Sequence, residues 1–446
     1  MKKQITRTLA VAAVLALGAT GLAACGSSTN VDESKGKVYY LNFKPESADQ
    51  WKAIAETYTK ETGVQVTVET AASNTYEQTL KSEMAKSEAP TLFQVNGPVG
   101  LAKWKDYCDD LTDTAIYKQL TDQGQALTSD DGSQILAVPY VQESYGIIYN
   151  KDLLNQYFDA SWSSVKSIDD LNNFKALKTV ATEIQSHKDD LGVEGAFTSA
   201  GFDSSSDWRF KTQLANQPLY FEFKDNGSTT TQPATVKGTY LDNFKNIFDL
   251  YINNSTTDKT QLSSKTGDDA NSEFSLGEAV FYQNGTWAWT DMSNAGMEAD
   301  NVGMLPIYIG VDGEENQSLT TGSENYWCIN TKASDLDKQA TADFLEWMIT
   351  SDEGKNALAT EMGFSTPFKT FSDVTTDNPL IDAAAAYTKE GRESVTWAYT
   401  MIPSEQWKND LGSAMLEYAQ GTGSWDKVVS AFVDGWASEY AASHEG

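Results

Sequence analysis

Indole rings and carboxylates are the side chains with chemistry to offer in this chain. It holds 12 Trp, 20 Tyr and 18 Phe, enough to stock a cleft besides a core, together with 63 Asp and Glu. Aromatic faces match apolar C–H surfaces, while carboxylates, amides and cationic side chains match a rim of hydroxyls. A ligand that presents both would fit such a set. Only His187 and His444 are present, which argues against a Ser-His-Asp triad and against histidine-rich metal sites. Hydrolysis of a glycosidic bond would need two carboxylates about 5 to 10 Å apart. Such a pair can always be proposed among so many acids, but none sits in a recognisable catalytic motif.

The stretch that organises the chain is Phe274–Trp289, FSLGEAVFYQNGTWAW. Ser275 and Glu278 have capping-box spacing and predict a helix start. Phe274, Gly277 and Phe281 then share a face. Asn284-Gly285 reads as a left-handed helix stop, and Thr286–Trp289 as a strand entry. This places Trp287 at a turn, where an indole makes a natural binding surface; for one of Trp287 and Trp289 the core is the alternative. The stretch resembles the helix–turn–Trp signature of extracellular solute-binding proteins of sugar ABC importers, the maltose-binding-protein-like group. The matching residues are Phe274, Gly277, Glu278-Ala279, Phe281, Gly285 and Trp287.

The first residues are not fold. Lys2, Lys3 and Arg7 precede an apolar run, Leu9 to Leu17, too short to span a bilayer. Leu22-Ala23-Ala24-Cys25 matches a bacterial lipobox, so residues 1–24 read as a lipoprotein signal peptide, Cys25 as the lipidation site and 25–36 as a flexible tether. The remaining length exceeds one ordinary core and implies two or more domains. A formal charge of −30 repels nucleic acid and anionic lipid and suits neutral or cationic ligands. Cys108 and Cys328 are either buried thiols or a bridge.

From Lys37 the pattern runs strand, helix, strand, helix, strand: Lys37–Leu41, a helix through Trp51, Ile54, Ala55 and Tyr58 to Gly63, Val64–Val68, a helix through Leu80 and Met84, then Thr91–Val95. That is an open α/β sheet, whose ligands bind beyond the carboxyl ends of the strands. The loops there carry Asn42, Lys44, Glu46 and Asn96, with Pro45, Gly97 and Pro98 as turn residues. Ala137–Leu154, AVPYVQESYGIIYNKDLL, resembles the sugar-binding group's Val/Ile-Pro-Tyr…Tyr-Asn-Lys-Asp-Leu pattern, where the chain first crosses between lobes. Glu143 falls in that crossing, as a ligand group or as half of a structural salt bridge. Trp208, in a polar loop before Arg209, faces a cleft or packs in the core. Val302–Pro306 resembles the second crossing strand. Thr320–Asn330, with Glu324 replacing part of a Gly run, resembles the turn and strand that follow. Asp335–Ile349 reads as an amphipathic helix, and with Gly363-Phe364 to Pro367 it continues the resemblance. Trp407 precedes a helix, near the point where a Trp stacks on the ligand in relatives. Trp397 sits among polar residues.

The resemblance implies an α/β, two-lobed periplasmic-binding-protein-like fold of class II. It implies lobe 1 from 37–142 and 304–338, and lobe 2 from 143–303 and 339–446. Crossings are expected near Gln142–Tyr145, Gly303–Pro306 and Leu336–Ala340. It also implies capture of an oligosaccharide by hinge closure, without catalysis or cofactor, and delivery to the membrane subunits of an ABC importer by a lipid-anchored monomer. Trp287 and Trp407 are the expected stacking platforms. Glu143, Asn42, Lys44, Glu46 and Asn96 are the expected hydrogen-bonding groups, followed by Trp208, Trp397 and Glu324. A secreted glycoside hydrolase, and the same fold binding a polyamine, are the alternatives.

Overall fold

The computed structural model describes residues 31–72, 75–228 and 231–444. The signal peptide, the lipobox and Cys25 lie outside the described residues. Twelve strands are defined among those described: β1 (Lys37–Asn42), β2 (Gln65–Thr70), β3 (Leu92–Asn96), β4 (Leu127–Thr128), β5 (Ile135–Pro139), β6 (Glu143–Asn150), β7 (Gly195–Phe197), β8 (Ala279–Gly285), β9 (Val302–Leu305), β10 (Gln317–Gly322), β11 (Asn325–Ile329) and β12 (Glu393–Thr396). They form two sheets. The first has the order β2-β1-β3-β11-β5-β4, the second β12-β10-β6-β8-β7, with β9 also paired to β6.

The first sheet begins as the alternation of strands and helices predicts. β1 pairs in parallel with β2 and β3. The intervening helix Ala48–Thr62 buries Trp51, Ile54, Ala55 and Tyr58, the i, i+3, i+4, i+7 face. Late in the chain, β11 enters antiparallel between β3 and β5. Helix Asp335–Thr350 and the segment through Phe371 then cover one face: Phe344, Met348, Phe364 and Phe368 share a core with Val38, Trp51 and Trp327. The opposite face packs Leu41, Phe93, Leu101 and Cys328. In the second lobe, β6 runs antiparallel to β8, β9 and β10. Its main core joins Tyr145, Phe210, Phe244, Trp407, Phe432 and Trp436.

Several expectations need redrawing. Residues 304–338 do not form one lobe: β10 joins the second sheet and β11 the first. Residues 339–371 pack on the first sheet rather than in lobe 2. Val302–Leu305 begins no crossing, because β9 and the following β10 both flank β6. The chain passes between sheets from β5 to β6, from β10 to β11, and over 372–379, where Leu380 enters the second lobe's packing.

The Phe274–Trp289 stretch differs most. The helix lies upstream, at Gly267–Ser275, with a capping box of Thr266 and Asp269. After a turn at Gly277 (φ +75°), Ala279–Gly285 is a strand, every residue of it buried. A strand buried on both faces is a continuous run without period-two alternation, so its pattern does not separate it from a helix. Thr286–Ala288 is a 3-10 turn and Trp289–Asn294 a short helix, not a strand. Likewise Gly97–Trp104 is helical, with Pro98 in its first turn. Cys108 and Cys328 are free, buried thiols.

Candidate ligand site between the lobes

The first two crossings run side by side. Glu143, at the start of β6, pairs with Gly322 at the end of β10, and the hydroxyls of Ser144 and Thr321 lie 2.8 Å apart. Glu324 follows in the link to β11. The topology therefore sets two carboxylates where the lobes meet.

Lobe 1 adds the loop after β1. Asn42 builds this loop: its Nδ2 donates to Lys44 O (2.7 Å) and Thr70 Oγ1 (3.2 Å), and its Oδ1 accepts from Lys44 N (3.1 Å). Asn42 is buried with its amide spent on the Lys44 backbone and the Thr70 hydroxyl, so the expected ligand contact gives way to a structural one. The shaped loop aims Lys44 at the crossing. Its Nζ donates to Glu143 Oε1 (2.7 Å) and lies 3.4 Å from Glu46 Oε1. The salt-bridge alternative for Glu143 is thus the arrangement seen. Burial opposes the charge of Lys44, but Glu143 and Glu46 outweigh it and its pKa rises. Burial raises the Glu143 carboxyl, partly offset by Lys44.

Glu324 has no ammonium within 4 Å among the described residues. Desolvation pushes its carboxyl up to about 7, against the pull of Lys408 and Lys44 and with a further push from Glu143, although the residue keeps partial exposure. Asn96 Oδ1 and both amide atoms of Asn325 are buried without a hydrogen-bond partner. Such orphaned groups are costly in a finished interior and ordinary at a binding surface. On lobe 2, Asp291 is exposed; a desolvation that this exposure weakens, and the acids Glu46 and Asp268, push its carboxyl up.

An aromatic wall stands beside these carboxylates. Tyr145 of β6, itself fully buried in the second lobe's main core, backs it, with ring centroids 5.8 Å from Trp397, 6.4 Å from Tyr399 and 6.5 Å from Trp287. Trp397 stacks on Tyr399 at 5.1 Å and donates its Nε1–H to Thr320 O (3.2 Å). Trp287, half-buried on its 3-10 turn, lies 6.0 Å from Trp208, whose ring carries the Arg209 guanidinium at 4.5 Å. The structure therefore gathers Trp287, Trp208 and Trp397 along one wall, and Lys44, Glu46, Glu143, Asn96 and Glu324 along its rim.

Trp407 is not among them. It is fully buried against Phe432 (5.3 Å) and Trp436 (5.4 Å), and its Nε1 donates to Phe432 O. Helix Glu405–Ala419 turns that face to helix Trp425–His444, so this expected stacking platform is core. Tyr145 and Tyr399 were not anticipated. Tyr399 stands two residues after Trp397 in Thr-Trp-Ala-Tyr, an aromatic pair that could have drawn attention.

The lobes are shut over this site. A Cβ on Gly97 of lobe 1 would lie 2.9 Å from Thr400 Cβ of lobe 2. The crevice between them, lined by Asn96, Lys103, Tyr399, Glu405 and Lys408 among others, holds about 20 Å³. A groove of about 690 Å³ exists elsewhere, at the far end of β6, lined by Tyr149, Tyr308, Tyr387 and Arg392. Its lining comes from lobe 2 and, through Thr376, Asp377 and Pro379, from the third passage between the sheets; no strand or helix of lobe 1 contributes, so a ligand there would not bridge the two lobes. Among the described residues no group of acids, Cys and His could hold a metal ion, and no helix is long and apolar enough to cross a membrane.

A profile of the bacterial extracellular solute-binding protein family matches residues 53–389. The chain belongs to that family. This solute-binding protein is also 25% identical over 200 residues to the melibiose/raffinose/stachyose-binding protein MelE of Bacillus subtilis; the alignment covers 45% of this chain and 44% of MelE, under half of that relative's length. Its fold is shared with the GacH receptor of Streptomyces glaucescens, solved unliganded and with acarbose (18% identity, TM-score 0.67, 91% of this chain and 98% of that one). The apo form of RafE from Streptococcus pneumoniae gives 18% identity and a TM-score of 0.64, covering 93% and 99%. These are two-lobed solute-binding proteins, and so is this one.

Proposed function

We propose that this solute-binding protein captures an oligosaccharide between its lobes by hinge closure and hands it unaltered to an ABC importer, tethered outside the cell membrane by lipid on Cys25. The observation that carries the reading is the aromatic wall of Tyr145, Trp287, Trp397 and Tyr399 beside the carboxylates of the crossings. Ring faces suit the C–H faces of a sugar, and Glu46, Glu143, Asn96 and Glu324 suit its hydroxyls. Opening at the crossings exposes both sets, and a ligand touching both lobes favours the shut form by its differential contacts. MelE is described as binding melibiose, raffinose and stachyose, and GacH is seen with acarbose. No step of bond cleavage is part of the proposal: Glu143, a buried acid of the crossings, is tied to Lys44.

Glu46, Glu143, Glu324, Asp291 and Glu405 outnumber Lys44, Lys103 and Lys408 at the interface, which favours a polycation as the second reading. Calorimetry against melibiose, raffinose, stachyose and spermidine tests both. Saturable sugar binding with intact sugar recovered afterwards supports the importer reading. Spermidine binding alone supports the second. Cleaved sugar returns the glycoside hydrolase.

A further inference from the structure

We propose that the groove of about 690 Å³ on lobe 2 is a second ligand site, separate from the one between the lobes, and that it takes a small organic cation of the alkylammonium class. Its volume falls in the range of small-molecule pockets. Strand β9 is its floor. Gly303 makes room there: a Cβ on it would lie 2.3 Å from the Tyr149 ring, so glycine is what lets that ring lie across the strand. Helix Pro379–Lys389 is one wall. It turns Asp382, Ala383, Ala386 and Tyr387 to the groove, and the two alanines leave the space open. Tyr387 fixes the helix to the floor, its hydroxyl donating to Met304 O at 3.1 Å.

Two phenols mark the groove as unfinished. Tyr308 is 1% exposed, and its hydroxyl makes no hydrogen bond with a described residue. It lines the groove, so the little surface it keeps is groove surface. The hydroxyl of half-buried Tyr149 is likewise without a partner among the described residues. Buried phenols are ordinarily hydrogen-bonded. A ligand in the groove would supply what both lack.

The charge selects the occupant. Arg392 is spent: its Nε donates to Glu390 Oε2 (2.8 Å), and its guanidinium lies over the Tyr387 ring at 5.1 Å. Lys151 Nζ donates to Asp300 O (3.1 Å) and pairs with no described carboxylate. Against that one unpaired ammonium stand Asp169, Asp300, Asp377 and Asp382, all exposed and none in an ion pair among the described residues. Acids alone would make a solvated surface; here free phenol oxygens lie beneath them. A protonated primary amine can donate N–H to those oxygens, set its charge among the carboxylates and rest its methylenes against the rings. A quaternary ammonium lacks the N–H donors, and a neutral sugar leaves the carboxylates without a counter-charge. No strand or helix of lobe 1 lines the groove, so occupancy adds no contact across the cleft and leaves lobe closure unbiased.

Putrescine is the probe. Calorimetry of the full chain should show one saturable site that weakens as salt rises. Asp300→Asn combined with Asp382→Asn should weaken it about tenfold. Ala386→Phe, which fills the groove and keeps every charge, should abolish it. Tyr308→Phe, which removes one acceptor, should weaken it about threefold to tenfold. Glu46→Gln, between the lobes, should leave it unchanged. Thermal melts confirm that each variant is folded. Absence of saturable binding, or binding that survives Ala386→Phe, overturns the proposal. So does binding lost in Glu46→Gln, which would place the amine between the lobes. Raffinose is titrated alongside, and a raffinose signal lost in Ala386→Phe overturns the cation in favour of a sugar. None of these outcomes depends on what the interlobe cleft takes.

Discussion

The Trp287 ring occupies the space that a side chain on Gly285 would need: a Cβ there would lie 2.1 Å from the ring's Cζ3. Glycine at the end of β8 is what lets the indole fold back beside Tyr145 and Trp208. Gly285→Ala should push the ring off this seat at a cost of about 1–3 kcal/mol. A lowered melting temperature with a red-shifted tryptophan emission is the expected outcome; an unshifted spectrum would mean that the ring keeps its place.

Trp287 and Trp407 should separate cleanly by mutation. Trp407→Ala empties a site enclosed by Phe432 and Trp436, and about 3–5 kcal/mol of stability should go with it. Trp287→Ala removes a half-buried ring and should lower the melting temperature far less, while weakening oligosaccharide binding at least tenfold. Paired melts and calorimetry check both; equal binding in Trp287→Ala removes that residue from the site.

Lys44→Met should leave the Glu143 carboxylate buried without its partner. Breaking such a pair from one side costs about 3–5 kcal/mol. Combining it with Glu143→Leu should recover most of that loss, since neither charge remains. Urea titrations of the two single variants and the double variant measure the coupling; strict additivity would show that the two side chains do not interact.

Cys108 and Cys328 should resist thiol reagents in the native protein. Both are buried, and burial raises the Cys328 thiol well above its ordinary range, with Cys108 adding to the shift. Ellman's reagent should find no described thiol at neutral pH, and two after unfolding in guanidinium. Rapid native labelling would contradict the packing of Cys328 against Phe93 and Tyr326.

Much of the first sheet was legible because its signals are local. The helix after β1 carries its apolar face at the expected spacing, Gly63 stops it, and β1 to β3 follow in order. The family was legible from the motifs around Tyr149–Leu154 and Phe274–Trp287. What failed was whatever depended on distant partners. Ala279–Gly285 reads as a helix until β6 and β7 are known to flank it. Trp407 reads as a platform until helix Trp425–His444 closes over it. Two capping-box spacings compete near residue 270, and only Thr266 with Asp269 is used. Glu143 could be placed at a crossing from sequence, but its tie to Lys44, 99 residues earlier, is a fact of tertiary structure.

The insertion of β11 between β3 and β5 has a consequence for biosynthesis. A nascent chain that ends before Asn325 carries lobe 1 with a gap in the middle of its sheet, bare backbone on both sides and a hydrophobic floor uncovered until Phe371 follows. Until that strand arrives the sheet cannot close, and its bare edges and uncovered face are prone to aggregation. A stop codon anywhere upstream of that strand should therefore yield aggregate rather than a smaller working lobe.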